Sequence, residues 1–172
     1  MFFQNLARKN EIGANCYLLE TSDSKVVLDS GMHPKEEGLA ALPAHHELSP
    51  HSVDAIVLSH AHLDHTGTIP VLMRDQQDAP LYLTEATAAL AKALLHNSVN
   101  VMKRQRIERN IPEYPLFHHR EIDELSYLFQ GLKYGRAEPW SPARTGAAGE
   151  PAPTVSFHPA GHVLGSAGLR VA

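Results

Sequence analysis

Four side chains able to hold a metal ion fall within six positions of the stretch Leu58-Ser59-His60-Ala61-His62-Leu63-Asp64-His65-Thr66-Gly67. Neutral imidazole suits zinc, and a carboxylate among the imidazoles keeps such a site open to water. The pattern therefore fits water activation better than a closed structural site. In extended backbone, side chains alternate with period two, so His60 and His62 point to one side and can reach one ion. Asp64 lies beyond them, and His65 faces the other way unless the chain turns. A turn here divides the ligands between two ions. A hundred residues on, Gly161 and Gly165 bracket His162, as where backbone must come close to another group. His162 is the natural third imidazole beside His60 and His62, with His158 the competing candidate. The plainer reading is a His-rich surface loop in a chain of twelve histidines. Random placement, however, rarely yields H-x-H-x-D-H directly after an apolar run.

Such a cluster needs a strand to deliver it. Residues 53–59, centred on Ala55-Ile56-Val57-Leu58, are predicted to be that strand, and residues 66–74 a helix with Pro70 in its first turn. Upstream, residues 15–20 and 25–29 read as a hairpin around the polar turn 21–24. Its second strand ends in Val27-Leu28-Asp29-Ser30-Gly31, where spacing alone makes Asp29 a turn former. Residues 35–42 suggest a short helix, and His45, His46 and His51 read as solvated positions without a metal role. Downstream come a strand at 81–83, an Ala- and Leu-rich helix over 84–95 opened by a Thr cap, and a further stretch over 97–110. That stretch carries Lys103, Arg104, Arg106 and Arg109, which could meet phosphates. Glu108 interrupts the charge, so a solvated helix face is the simpler account. His118 and His119 precede a helix predicted over 120–130 and receive no ligand role; Ile122, Leu125, Leu128 and Phe129 recur at helical spacing. Residues 132–136 and 154–158 read as strands, and 141–153, rich in Ser, Ala, Gly and Pro, as a flexible loop.

The whole chain sets limits on these readings. With 172 residues, 43% hydrophobic, and a net charge of -4, the sequence suits one soluble globular domain and excludes a disordered chain. No apolar run approaches the roughly 20 residues of a spanning helix, and no secretory signal opens the chain, so a cytoplasmic protein is expected. The single cysteine, Cys16, rules out an internal disulfide and a Cys-rich zinc module, and it reads as a buried strand thiol. A mildly acidic chain lacks the basic surplus of a nonspecific nucleic-acid binder, so any phosphate contact must be local.

At His60-Ala61-His62-Leu63-Asp64-His65 the chain resembles the metallo-β-lactamase superfamily of metal hydrolases. Thr66-Gly67-Thr68-Ile69-Pro70 and Gly161-His162-Val163-Leu164-Gly165-Ser166-Ala167 resemble its β-CASP branch of RNA- and DNA-processing nucleases. The resemblance runs from about Gly13 to the end and is strongest at the two histidine motifs. It implies an α/β chain of the αββα-sandwich type, of which residues 1–172 supply mainly the first half, without the β-CASP domain. It implies two zinc ions, one on His60, His62 and His162 and the other on Asp64 and His65, with Asp29 supporting the histidine loop through hydrogen bonds. Asp64 would orient or deprotonate the attacking water. The family's bridging Asp and a further His do not occur before Ala172, so at most one ion is expected to be held well, and the isolated chain is expected to be inactive. The activity implied is phosphodiester hydrolysis of RNA, or of DNA, by an endonuclease or exonuclease. The alternatives are hydrolysis of a thioester, lactone or lactam, and a non-catalytic metal-binding module. A sheet lacking its second half would also leave an apolar face and an open edge, so self-association is expected.

Overall fold

The computed structural model describes residues 1–8, 12–22, 24–139 and 154–172. Its first sheet is built around the run Ala55-Ile56-Val57, all three residues fully buried, as in a strand covered on both faces. Six strands lie in chain order: β1 (Phe2–Asn5), β2 (Tyr17–Glu20), β3 (Lys25–Leu28), β4 (Ala55–Val57), β5 (Leu81–Thr84) and β6 (Phe129–Leu132). The first three pair antiparallel, and β3 to β6 pair parallel. Parallel neighbours need crossover connections. Helices α1 (Leu63–Thr66) and α2 (Ile69–Leu72) lie between β4 and β5, and α3 (Glu85–Glu108) and α4 (His119–Ser126) between β5 and β6.

Alternation along the strands divides the core in two. Val27, Ile56, Leu81 and Leu83 pack with Ile69 and Leu72 of α2 and Leu125 of α4. Val26, Ala55, Val57 and Tyr82 point the other way, onto Val155, Phe157 and Ala167 of a second sheet. That sheet is antiparallel, ordered β7 (Ala137–Pro139), β8 (Thr154–Pro159), β9 (Ala167–Val171). Helices, first sheet and second sheet thus form three layers of the expected sandwich. Among the described residues no helix is long and apolar enough to cross a membrane.

Several elements differ from their predicted bounds. The helix expected over 66–74 begins earlier and breaks into α1 and α2. At the break, the Thr68 N–H donates to the Ser30 carbonyl (3.0 Å) and its hydroxyl to the Gly31 carbonyl (3.1 Å), tying the chain to the exit of β3. The stretches 84–95 and 97–110 form one 24-residue helix, α3, since Asn97 and Ser98 are tolerated within a helix whose inner face buries Leu95, Ser98, Val99 and Met102. Thr84 is its N-cap, its hydroxyl accepting from the Thr87 N–H at 3.2 Å, a cap worth about 1 kcal/mol. Helix α4 stops at Ser126, because Phe129 enters β6 opposite Leu81. The strand expected over 132–136 therefore lies at Phe129–Leu132, ahead of a turn with Gly135 at φ +74°. Residues 35–42 hold only a 3-10 turn, Gly38–Ala41. Strands β1, β7 and β9 were not anticipated. The loop expected over 141–153, and Asp23 of the turn 21–24, lie outside the described residues.

Candidate metal centre

Strands β3 and β4 are parallel neighbours, with Leu28 opposite Val57, so their C-terminal ends open side by side. Ligand sites in parallel sheets form at such ends. The first residue past β3 is Asp29, at φ 58°, a left-handed conformation that Asp tolerates better than most residues. Its N–H donates to the Val57 carbonyl at 2.9 Å, and its buried carboxylate reaches across to the loop after β4. Oδ1 accepts from the Ser59 N–H, and Oδ2 accepts from the Ser59 hydroxyl and from Nδ1 of His65, each at 2.7 Å. The turn that the spacing left open is made by α1. Starting at Leu63, this helix swings His65 back until its ring centroid lies 4.0 Å from that of His60.

His60, His62 and His162 converge, and one ligand nitrogen from each lies within 4.8 Å of the other two. Nδ1 of His62 and Nε2 of His162 are 3.2 Å apart. Two nitrogens bound to a tetrahedral zinc with bonds of 2.0–2.1 Å would be about 3.3 Å apart. The His62–His162 pair thus already has the spacing of two zinc ligands, and His60 stands close enough to close on the same ion. His60 is buried, while His62 and His162 open to solvent.

His162 reaches the cluster from the tight loop between β8 and β9. The Ser166 hydroxyl accepts from the N–H groups of His162 (3.1 Å) and Val163 (3.2 Å), closing that loop. The Ala167 N–H donates to the Ser59 carbonyl at 2.9 Å, joining the two sheets beside the ligands. Gly165 has φ +82°, and a Cβ there would lie 2.6 Å from the Thr87 nitrogen. Its carbonyl accepts from the hydroxyls of Thr84 (2.8 Å) and Thr87 (3.0 Å), docking the loop on the start of α3.

Asp64 and His65 form a second pair of donors, with Oδ2 and Nε2 3.7 Å apart. Because His65 Nδ1–H donates to Asp29, the lone pair on Nε2 faces outward toward Asp64 and the Asn15 amide. Asn15 Nδ2 donates to His65 Nε2 (3.1 Å) and to the carbonyls of Gly13 and Asp64 (3.0 Å each). Electrostatics separates the two histidines. Burial, then the neighbouring His65, His62 and His162, push His60 down to about 4 against the opposing charge of Asp29, leaving a neutral imidazole able to bind metal. For His65, burial acts downward, but the hydrogen bond and charge of Asp29, with the charge of Asp64, outweigh it and raise the pKa. Beside His62 and Asp64 a cleft of about 670 Å³ opens between α1 and α3, with Lys35, Asn97 and Gln105 on its walls.

The remaining candidates lie elsewhere. His158 sits in β8 with its Nε2 against the Ser156 hydroxyl (3.2 Å), outside the triad. His45, expected in solvent, is instead half-buried. Its Nε2 donates to the Ser30 hydroxyl (2.9 Å), which donates to Thr68 Oγ1 (2.8 Å), a chain that braces the Asp29 loop. Burial first, then Arg8 and His46, lower its pKa to about 4. Cys16 is fully buried, and burial, with Asp29 nearby, pushes its thiol up, so no thiolate is on offer. The basic run on α3 is largely engaged within the protein: Arg106 donates to the Tyr114 carbonyl (2.9 Å), Arg104 pairs with Glu108, and Arg109 with Glu37. Two residues of the site escaped the sequence reading, Asn15 and Ser59. Ser59 stands inside the histidine motif, where its position between strand and ligands was the available signal.

The sequence profile of the metallo-β-lactamase superfamily matches residues 10–169. The chain is 31% identical over 169 residues to the endoribonuclease ysh-1 of Neurospora crassa, a match covering 97% of this chain and 18% of that protein. It is 37% identical over 100 residues to the endoribonuclease YSH1 of Saccharomyces cerevisiae, covering 58% of this chain and 13% of that protein. The chain thus spans less than a fifth of the length of these relatives. Among solved structures, a B3 metallo-β-lactamase with an active-site glutamic acid superposes with a TM-score of 0.54 at 19% identity, over 93% of this chain and 51% of that one. This likeness concerns the fold alone, and it agrees with the layers and strand ends described above. On the extent of the profile match, the chain belongs to the metallo-β-lactamase superfamily.

Proposed function

We propose that this chain carries the metal-binding part of a zinc-dependent phosphodiester hydrolase that cleaves RNA. The observation that supports it most is the convergence of His60, His62 and His162 at the end of β4, beside a His65 whose outward lone pair is set by Asp29. Relatives named endoribonucleases point to RNA as the substrate. In this reading the three imidazoles hold one ion, and Asp64 and His65 contribute to a second. When bound, zinc supplies a Lewis acid for the phosphoryl oxygens and lowers the pKa of water.

The protein's own groups then do the positioning. Asp64, half-buried at the mouth of the cleft, is placed to orient the attacking water and take its proton. Asp29 keeps the His65 proton on Nδ1, so Nε2 keeps its lone pair beside Asp64 Oδ2, 3.7 Å away. Lys35, on the cleft wall, offers a local cation to a phosphate in a chain whose net charge is negative.

The test is zinc content by elemental analysis after chelator-free purification, followed by cleavage of end-labelled single-stranded RNA. Zinc is expected to bind and to be lost in His60→Ala, His62→Ala and His162→Ala, and any RNA cleavage is expected to vanish with chelator and in Asp64→Asn. A zinc-loaded chain that hydrolyses a thioester, lactone or lactam and leaves RNA intact would assign the reaction to the other hydrolases of the fold.

A further inference from the structure

Helix α3 turns one stripe toward the cleft beside His62 and Asp64, with Leu94, Asn97, Val101 and Gln105 recurring at helical spacing along its wall. With Leu63 of α1, the half-buried Leu94 and Val101 make that wall largely apolar. Asn97, which is exposed, and Gln105, which is half-buried, interrupt it. Asn is a poor helix former in the middle of a 24-residue helix. Among the described residues neither amide side chain has a hydrogen-bond partner. A residue that goes against local preference and finds no partner inside the fold points to one outside it. The cleft, at about 670 Å³, falls in the range of roughly 300–1,000 Å³ that holds a whole small molecule. A phosphate alone would leave most of it unfilled.

We propose that this cleft is a base slot, in which Asn97 and Gln105 hold two successive unpaired nucleobases of a single-stranded RNA. The two residues stand just over two helical turns apart, about 12 Å along the axis, too far for one base edge. Asn97 lies nearer the start of α3, where the His162 loop docks, and so takes the base next to the triad. An amide displays a donor and an acceptor side by side, and by rotating it can match the Watson–Crick edge of any base. The slot therefore reads the presence of an unpaired base more than its identity. The apolar side chains cover the base faces. A duplex is refused, since its Watson–Crick edges are occupied and its bases stacked. An acyl chain, as a thioester would present, is a poor occupant because it would strip water from both amides and return no hydrogen bond. Glu36 and Glu37 share the wall with Lys35, and Arg109 is engaged by Glu37. Charge attraction in the slot is therefore small, and the bases carry the binding. This inference rests on the RNA reading above.

The metal-free chain is the test material, so no reaction is needed for the readout. Side-chain amide signals in 1H–15N NMR are assigned through Asn97→Leu and Gln105→Leu, which suit a helix and keep the fold. Adenosine at millimolar concentration is expected to shift both signals, and ribose phosphate, which lacks a base, neither. In fluorescence anisotropy a short single-stranded RNA is expected to bind about tenfold tighter than the same strand with abasic nucleotides. The chain carrying both Asn97→Leu and Gln105→Leu is expected to lose that difference. Octanoate shifting the amide signals where adenosine does not would overturn the slot, as would equal affinity for intact and abasic strands. RNA cleavage by the unaltered chain together with such equal affinity would sink the slot and leave the RNA reading standing; discrimination between the strands without cleavage would do the reverse.

Discussion

Asp29→Asn gives the sharpest test of how the site is held. The substitution keeps size and shape and suits the left-handed backbone, since Asn tolerates φ 58° as well as Asp does. Oδ1 is retained and continues to accept from the Ser59 N–H. At the other position an acceptor becomes an NH2 donor facing the Ser59 hydroxyl and His65 Nδ1, both 2.7 Å away. The hydroxyl adapts by rotating its hydrogen toward His60 Nδ1, 3.0 Å away. The imidazole can restore its bond only by moving its proton from Nδ1 to Nε2. That proton then opposes the Asn15 amide nitrogen at 3.1 Å, donor against donor. With Asp29 only 5% exposed, water cannot relieve the mismatch. The loss of a bond to a charged acceptor, partly offset by the tautomer change, amounts to roughly 2–4 kcal/mol. Urea unfolding of the metal-free chain measures it, and long-range 1H–15N NMR reads the tautomer. Wild type should show His65 protonated on Nδ1 and the variant on Nε2, while Ser59→Ala should cost about 1 kcal/mol without moving the proton. An Asp29→Asn chain within about 0.5 kcal/mol of wild type, with His65 still protonated on Nδ1, would refute the reasoning.

Gly165→Ala should cost roughly 1–3 kcal/mol of backbone strain and displace His162, since its Cβ would meet the Thr87 nitrogen at 2.6 Å; calorimetric zinc binding should weaken sharply, and wild-type affinity would contradict the docking role of the loop. Stability should fall with acidity through His45. Its folded pKa of about 4 lies below the ordinary 6.5, so the unfolded chain binds the extra proton first, and up to roughly 3 kcal/mol is lost between pH 6.5 and 4. His45→Gln, which keeps a donor for Ser30, should flatten that part of a urea-versus-pH profile relative to wild type. Phe157→Ala, in the fully buried contact between the sheets, should destabilise by about 3–5 kcal/mol in urea unfolding.

The histidine cluster was legible because its signal is local. H-x-H-x-D-H places its side chains within one loop and one helical turn, and the apolar run before it forms the buried strand β4. His162 was legible because Gly161 and Gly165 mark a backbone that must bend and approach, and Gly165 does so against Thr84 and Thr87. Asn15 gave no sign, since an Asn before a strand looks like any turn residue; its part depends on Asp64 and His65, about fifty positions away. The break between α1 and α2 was hidden for a similar reason, as Thr68 leaves the helix for carbonyls of the β3 exit. His45 was misjudged because a polar neighbourhood in sequence, His46 and Glu47, says nothing of the Ser30 hydroxyl it reaches. In α4 the helical spacing ran on through Phe129, but pairing with β5 overrode it.

The bond from the Ala167 N–H to the Ser59 carbonyl also bears on the order of events as the chain is made. Two of the three clustered imidazoles leave the ribosome about a hundred residues before the third, and the third arrives on a hairpin that must find an already formed strand. Such a distant pairing is slow to close compared with local turns. An ion held by all three imidazoles would therefore be captured late, after the second sheet has docked, and would act as a seal on a completed fold rather than as its nucleus.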